Sequence, residues 1–293
     1  MQQEFNAKFY YDSLGDKFPD QEMRAEAVTG ITDASDTPLD FLLGPHHSGF
    51  MQQLEEAPQD LHHDHEEGWL SEPTPFLQHL PAHIVPCNMI NQGDKWRRTT
   101  NSSFFTKLDV SKNGCTMLAS LPQVKLLRVN QLARAACILW STYCQSQLAT
   151  VKFWSLDLWA CYRRFNMSPA VLWKQTYITD KGCFTDLRVN FGGRSAVNKI
   201  SRLTNGIKLL VDQACDQVDN QHPLQHKELQ HEQQLRLTMG VSQSRLHSVG
   251  VYLDDFMAAS VQEINTTTPC DRPTLHLQAA HNIMSSPTTC NLP

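Results

Sequence analysis

An α+β fold, an antiparallel sheet backed by helices, is predicted by three features of this 293-residue sequence. "VKLLRVNQLARAACILWSTYCQSQ" (124–147) repeats apolar residues at spacings of three and four, the pattern of an amphipathic helix. "SAVNKISRLTNGIKLLVDQACDQV" (195–218) does the same, with Ser195 placed as an N-cap. "SVGVYLDDFMAAS" (248–260) reads as strand, turn, strand, and "ATVKFWSLDLW" (149–159) as a largely buried strand rich in Val, Phe, Trp and Leu.

The rest of the chain follows in order. Residues 1–50 are acidic, broken by Asp, Gly and Pro, and are expected to hold little order. Residues 49–70 predict a helical turn or two ending near Gly68. Prolines 73, 75, 81 and 86 predict an extended passage, after which Asn91-Gln92-Gly93-Asp94 forms the turn of a hairpin. Residues 219–247, rich in Gln and His, predict an exposed helical insertion. The Thr/Ser/Pro-biased stretch 261–293 reads as a low-complexity tail without order. No internal repeat occurs. The organisation expected is thus 1–50, then 51–155, then 156–260 interrupted by the insertion at 219–247, then the tail.

Composition narrows the class. A hydrophobic share of 41% is enough for a substantial core. No run of about 18 apolar residues predicts a membrane span, and the N-terminus lacks the pattern of a signal peptide. The nine cysteines are odd in number, scattered and without a C-x-x-C pair, which predicts reduced thiols in an intracellular protein of the cytoplasm or nucleus. The net charge of −5 hides strong segregation. Residues 1–85 hold three Lys/Arg and sixteen Asp/Glu, residues 86–211 eighteen against five, and residues 212–293 four against nine. A basic centre of this size suits a phosphate-backbone partner, and a solvated basic face reads equally well from it.

Asp254 and Asp255 carry the chemistry. Adjacent carboxylates between apolar strands are costly to hold together unless something neutralises them. The usual neutraliser is a hard divalent cation such as Mg²⁺, held by one or two carboxylates together with substrate phosphates. A further acid from another element is then needed. Asp157, the sole acid for about twenty residues on either side, lies in the strand expected to be buried. "LHHDHEEGW" (61–69) offers His62 and Glu66 at i,i+4 spacing as metal ligands, and a solvated helix face explains it more simply. "FGGRS" lacks the lysine and spacing of a phosphate loop.

These motifs resemble reverse transcriptases. "YLDDF" (252–256) is similar to the Y-x-D-D signature, "LDLWACYRRF" (156–165) to the palm motif L-D-L-x-x-A-Y-R, and "FGGRSAVNKI" (191–200) to F-G-x-R-S-A-P-x-x-F. "LPAHIVPCNMINQGDKWRRTTNSSF" (80–104) resembles the fingers pattern. The resemblance spans about residues 50–260 and points to retrotransposon enzymes of the DIRS-like, tyrosine-recombinase kind. It implies a right-hand polymerase with fingers and palm and two-metal nucleotidyl transfer from deoxynucleotides to a primer 3′-hydroxyl on an RNA or DNA template.

By that resemblance Asp157 and Asp254, with Asp255 beside them, hold two Mg²⁺ ions, Mn²⁺ being the alternative. Lys95 and Arg97 grip the triphosphate, Tyr162 walls off a ribose 2′-hydroxyl, and Phe191 and Gly192 lie against the nucleotide and template base. Tyr252 and Arg194 face primer and template. The sequence departs from the pattern at Val197 and Ile200, which stand for a proline and an aromatic, at Cys161 for an alanine and at Asn101 for an acid. No thumb is recognisable after the YLDD motif, which reads as truncation. The other readings are a retroelement remnant that binds nucleic acid without polymerising, and an interaction protein working through its acidic N-terminus. No protein partner can be named from the sequence and no membrane is expected.

Overall fold

The computed structural model describes residues 5–33, 42–43, 46, 48–52, 56–93, 96–104, 111–116, 119, 121–124, 126–240, 244–268 and 270–285. Its helices are α1 (Ala7–Leu14), α2 (Gln21–Thr29), α3 (Ser48–Gln52), α4 (Glu56–Glu66), α5 (Val129–Tyr143), α6 (Arg194–Gln221), α7 (Lys227–Thr238) and α8 (Arg272–Met284). Its strands are β1 (Leu42–Leu43), β2 (His83–Ile84), β3 (Cys87–Asn91), β4 (Trp96–Thr100), β5 (Ala149–Asp157), β6 (Thr176–Thr179), β7 (Gly182–Thr185), β8 (His247–Tyr252) and β9 (Asp255–Glu263). The mixed α+β composition agrees with the sequence. The chain divides into a first unit of residues 1–24, 124–159 and 201–293, and a second of residues 25–123 and 160–200.

The first unit is built on an antiparallel sheet in the order β5-β9-β8. Strand alternation sends Trp154, Val249, Val251, Phe256 and Ala258 to one face, where all are buried. α8 covers this face: the indole of Trp154 donates to Ser260 Oγ at 2.9 Å, and Ser260 pairs with His276 Nδ1 at 2.9 Å. On the opposite face Val151, Ala259 and Val261 pack with Ala136, Leu139 and Tyr143 of α5 and with Leu229 of α7. Gly250 lies on that face too. A Cβ there would fall 2.6 Å from Leu127 Cδ2, so the bare backbone is what seats Leu127 on the strand.

The second unit holds the β3–β4 hairpin and a four-stranded sheet in the order β1-β2-β6-β7. Phe50, Leu61, Leu70, Met89, Tyr177 and Phe184 belong to its apolar core. Beside them lies a buried charged centre. Arg163 donates to both oxygens of Asp186 at 2.7 and 2.6 Å and to Asp64 at 2.9 Å, while Arg98 pairs with Asp60 at 2.9 Å and with Asp64. Tyr177 adds a hydroxyl on Asp186 at 2.8 Å. Charges this deep are tolerated because each has its counter-charge, and removing one member of such a set costs about 3–5 kcal/mol.

Several expectations are met and several corrected. The hairpin turn follows Asn91 as expected, with Asp94 of the expected Asn91-Gln92-Gly93-Asp94 outside the described residues: Asn91 pairs with Trp96, Gly93 takes φ +84°, and its N–H donates to Asn91 Oδ1 at 2.8 Å. The first helical stretch is α5, and the helix near residues 49–70 is α3 and α4, with Gly68 in the left-handed region at φ +69°. Ser195 is not an N-cap: it lies inside α6, and its hydroxyl donates to Asp33 Oδ1 at 2.7 Å. β5 is not a largely buried strand, since Phe153, Ser155 and Asp157 point to its open face. The region before residue 50 carries α1 and α2 and buries Tyr10, Phe18 and Met23. The Thr/Ser/Pro-biased end carries α8, with Arg272, Pro273, His276 and Ala280 buried. In the Gln/His-rich stretch Leu224 and Leu229 anchor α7 in the core.

Because Phe256 is 0% exposed and Phe153 63% exposed, truncating each to alanine separates the two faces. Phe256→Ala is expected to cost about 3–5 kcal/mol in urea unfolding, and Phe153→Ala less than about 0.5 kcal/mol. Equal losses would contradict this assignment of faces.

Candidate active site

The YLDD turn closes the β8–β9 hairpin. Leu253 and Asp254 form the turn and Asp255 begins β9. Leu253 sits at φ +55°, a conformation costly for a branched side chain and one that recurs at functional turns. Asp255 is the cross-strand partner of both Asp157 and Tyr252. Directly opposed residues share a face, so the three side chains form one row across the end of the sheet. All three are exposed, beyond the part of that face covered by α5. Asp254 is half-buried, and its carbonyl accepts from the Leu158 N–H at 3.1 Å, tying the turn to the end of β5.

Asp254 feels its neighbours. Partial burial lifts its carboxyl above the ordinary range, and the charges of Asp255 and then Asp157 add to that rise, against a hydrogen bond from its own backbone N–H. The three acids offer hard oxygen donors, the donor set that suits Mg²⁺. They are not drawn tightly together. Among the described residues the trio whose ligand atoms all lie within 4.8 Å of one another is Asp219, His247 and His276, elsewhere in the first unit. Mutual repulsion and access to water favour keeping exposed carboxylates apart.

The other sequence-predicted residues lie in the second unit. The Tyr162 and Phe191 rings pack with centroids 4.3 Å apart, Tyr162 buried and Phe191 half-exposed. Gly192 follows at φ +102°, and a Cβ there would fall 2.5 Å from the Thr100 carbonyl, so glycine is dictated by the close approach of β4. Arg97 is exposed on β4 opposite Ile90. Lys95 lies outside the described residues. Arg194 is exposed, with its backbone N–H donating to Asn113 Oδ1 at 2.8 Å. Asn113, not singled out from the sequence, also donates to Ser103 Oγ at 2.8 Å and to the Gly192 carbonyl at 2.7 Å, fixing the segment that carries Phe191 and Arg194.

Charge segregation has a second meaning in the fold. In the second unit Arg98, Lys112, Arg163 and Lys199 of the basic centre pair with Asp64, Asp33, Asp64 and Glu26 of the acidic N-terminal part. In the first unit Arg202 pairs with Asp20 at 2.6 Å. Burial works against the Asp33 carboxyl, but the charge of Lys112 and the hydroxyl of Ser195 hold it down at about 2. The cations that stay exposed include Arg97, Arg128, Arg134, Lys152, Lys181 and Arg194. The His62–Glu66 pair spans 3.2 Å with both side chains mostly exposed, a solvated helix face.

No family model and no curated protein matches the chain. Among solved structures it is similar to the native prototype foamy virus protease–reverse transcriptase and to a CSH mutant of it. Each is 13% identical, with a TM-score of 0.43 over 97% of this chain and 32% of that one. The foamy viral protease–reverse transcriptase dRH in complex with double-stranded DNA is 11% identical, with the same TM-score, over 97% of this chain and 42% of its own. The chain thus spans about a third of the length of the first two. Among the described residues no helix is long and apolar enough to cross a membrane.

A carboxyl whose folded-state pKa is raised disfavours folding once it ionises. The penalty of Asp254 is therefore absent below its unfolded pKa of about 4 and appears as the pH rises through the raised value. Asp254→Asn is expected to raise the Tm of the metal-free protein at pH 7 and to leave it unchanged near pH 3. A lower Tm at pH 7 would show that the turn needs the charge.

Proposed function

We propose that this chain is the polymerase portion of a retrotransposon reverse transcriptase, of the DIRS-like kind its motifs resemble. The observation that carries the reading is the row formed by Asp157, Asp255 and Tyr252 at the open end of the sheet, with Asp254 in the adjoining turn. By the resemblance to reverse transcriptases, a Y-x-D-D hairpin set against an acid from a neighbouring strand is the arrangement that carries two-metal nucleotidyl transfer.

Asp157, Asp254 and Asp255 would hold the divalent cations. Mg²⁺ bound there supplies Lewis-acid polarisation of a primer 3′-hydroxyl and neutralises the leaving pyrophosphate. Tyr252, exposed beside Asp255, offers a ring to the primer end. Arg97 offers a bidentate clamp for phosphate, with Lys95 beside it in sequence. The Tyr162–Phe191 pair, packed at 4.3 Å, would serve as the aromatic wall that the resemblance sets against a ribose 2′-hydroxyl. Gly192, next to Phe191 in the chain, would let the backbone approach the nucleotide, and Arg194 with the other exposed cations serves the phosphates of template and primer without reading sequence.

One observation favours a second reading, a remnant that binds nucleic acid without polymerising: the three aspartates are not gathered to metal-ligand spacing. Primer extension on an annealed RNA template with deoxynucleotides and Mg²⁺ separates the two. The polymerase reading expects extension, lowered about a thousandfold by Asp254→Ala with Asp255→Ala, the effect of losing several kcal/mol of charge stabilisation. Tyr162→Ala should in addition raise ribonucleotide incorporation. Salt-sensitive template–primer binding with no extension would establish the remnant instead.

A further inference from the structure

His247 is a buried histidine outside the candidate active site. Its side chain is 0% exposed at the start of β8. Nδ1 lies 3.0 Å from Asp219 Oδ2. With Oδ1 of Asp219 paired to the Arg272 guanidinium at 2.7 Å, its Oδ2 is the partner of His247 Nδ1. That leaves the other ring nitrogen, Nε2, buried and without a hydrogen-bond partner. It faces two carboxylates one helical turn apart on α6, Asp212 Oδ1 and Asp216 Oδ1, each at 3.8 Å. Neither separation is a hydrogen bond.

We propose that His247 Nε2, Asp212 Oδ1 and Asp216 Oδ1 form a binding site for a divalent transition-metal ion of the Zn²⁺ class, separate from the hairpin aspartates. An ion about 2.0–2.2 Å from each donor needs the donors roughly 3–3.5 Å apart; each carboxylate oxygen already stands 3.8 Å from Nε2, whereas the three donors do not all lie within 4.8 Å of one another, so binding has to draw the Asp212 and Asp216 oxygens together in front of the imidazole. The surroundings are those of a metal-bound imidazole. Asp219 on Nδ1 is the carboxylate that fixes ring and tautomer and raises ligand basicity. The far oxygen of each acid is already held: Lys208 lies 2.5 Å from Asp212 Oδ2 and Arg245 2.6 Å from Asp216 Oδ2, which leaves both Oδ1 atoms turned to the imidazole. A cavity of about 380 Å³, lined in part by Lys208, Asp212, Arg245 and His247, gives an entry path and room for water in the remaining coordination positions.

The neighbouring trio Asp219, His247 and His276 is the tighter cluster, yet the atoms that face one another in it are already paired. Asp219 Oδ1 pairs with His276 Nε2 at 3.0 Å and with Arg272 at 2.7 Å, and His276 Nδ1 is taken by Ser260. An ion there would have to displace a buried guanidinium, whereas Nε2 of His247 displaces nothing.

Co²⁺ titration of the full chain tests the site, in an Asp254→Ala, Asp255→Ala background that removes the hairpin acids. The expected result is one equivalent bound with d–d bands and no thiolate charge-transfer band, since the free cysteines are not ligands. Asp212→Asn and Asp216→Asn should each weaken binding at least about tenfold, and His247→Gln should abolish it. The Asp216 side chain is 34% exposed, so Asp216→Asn keeps the fold and decides the matter even where His247→Gln does not fold. Unchanged affinity in both aspartate variants, a thiolate band, or a folded background protein that takes up no Co²⁺ would each overturn the proposal.

Discussion

The register of β9 against β5 and β8 is the constraint on which the candidate site depends. In that register Asp157, Asp255 and Tyr252 share the open face, and Leu156, Phe256 and Val251 share the buried one. A slip of one residue would exchange them, sending a carboxylate into the core and a phenylalanine into water. Several independent contacts pin it. Ser260 must lie between the Trp154 indole and His276, Gly250 must lie under Leu127, and the Leu158 N–H must meet the Asp254 carbonyl. The left-handed Leu253 closes the hairpin over two residues and so fixes which of the paired aspartates faces Asp157. It is Asp255, while Asp254 stays half-buried in the turn under the field of the other two.

Charge is the second organising force. The acidic beginning and basic centre of the sequence are complementary halves, each pairing meeting inside one unit. Such pairs are costly to bury and costlier to break, so they hold partners to one arrangement. They also reduce the basic surface left for a nucleic acid to a smaller group of exposed cations on each unit, several of them arginines suited to phosphate.

Much of this was legible in the sequence, and the exceptions have physical causes. The hairpin turn after Asn91, the period of α5 and the strand–turn–strand around Asp254 are local signals, and local geometry obeyed them. The exposure of β5 was hidden because a run such as "KFWSL" reads alike whether its aromatics face core or water. α8 was masked by the composition around it, although Asp271 before Arg272 and Pro273 in the first turn is a helix-start pattern. Its burial depends on a distant partner, Asp219, which composition cannot supply. The face of α6 bearing Asp212, Asp216 and Asp219 was visible as an i, i+4, i+7 stripe, but its meaning came only when β8 brought His247 against it. For Gly192 the sequence pointed to a nucleotide, and the close approach of Thr100 supplies a reason of its own.

The central claim, that Asp157, Asp254 and Asp255 hold divalent cations at the open end of the sheet, is tested most directly by iron-mediated cleavage. Fe²⁺ replaces Mg²⁺, ascorbate generates hydroxyl radicals at the bound ion, and the cut sites are mapped by mass spectrometry. Cuts close to Asp157 and to Leu253–Asp255, suppressed by excess Mg²⁺ and lost in Asp255→Asn, are the predicted result. A backbone intact at both segments under saturating Fe²⁺, or cuts there that Mg²⁺ does not suppress, would contradict it.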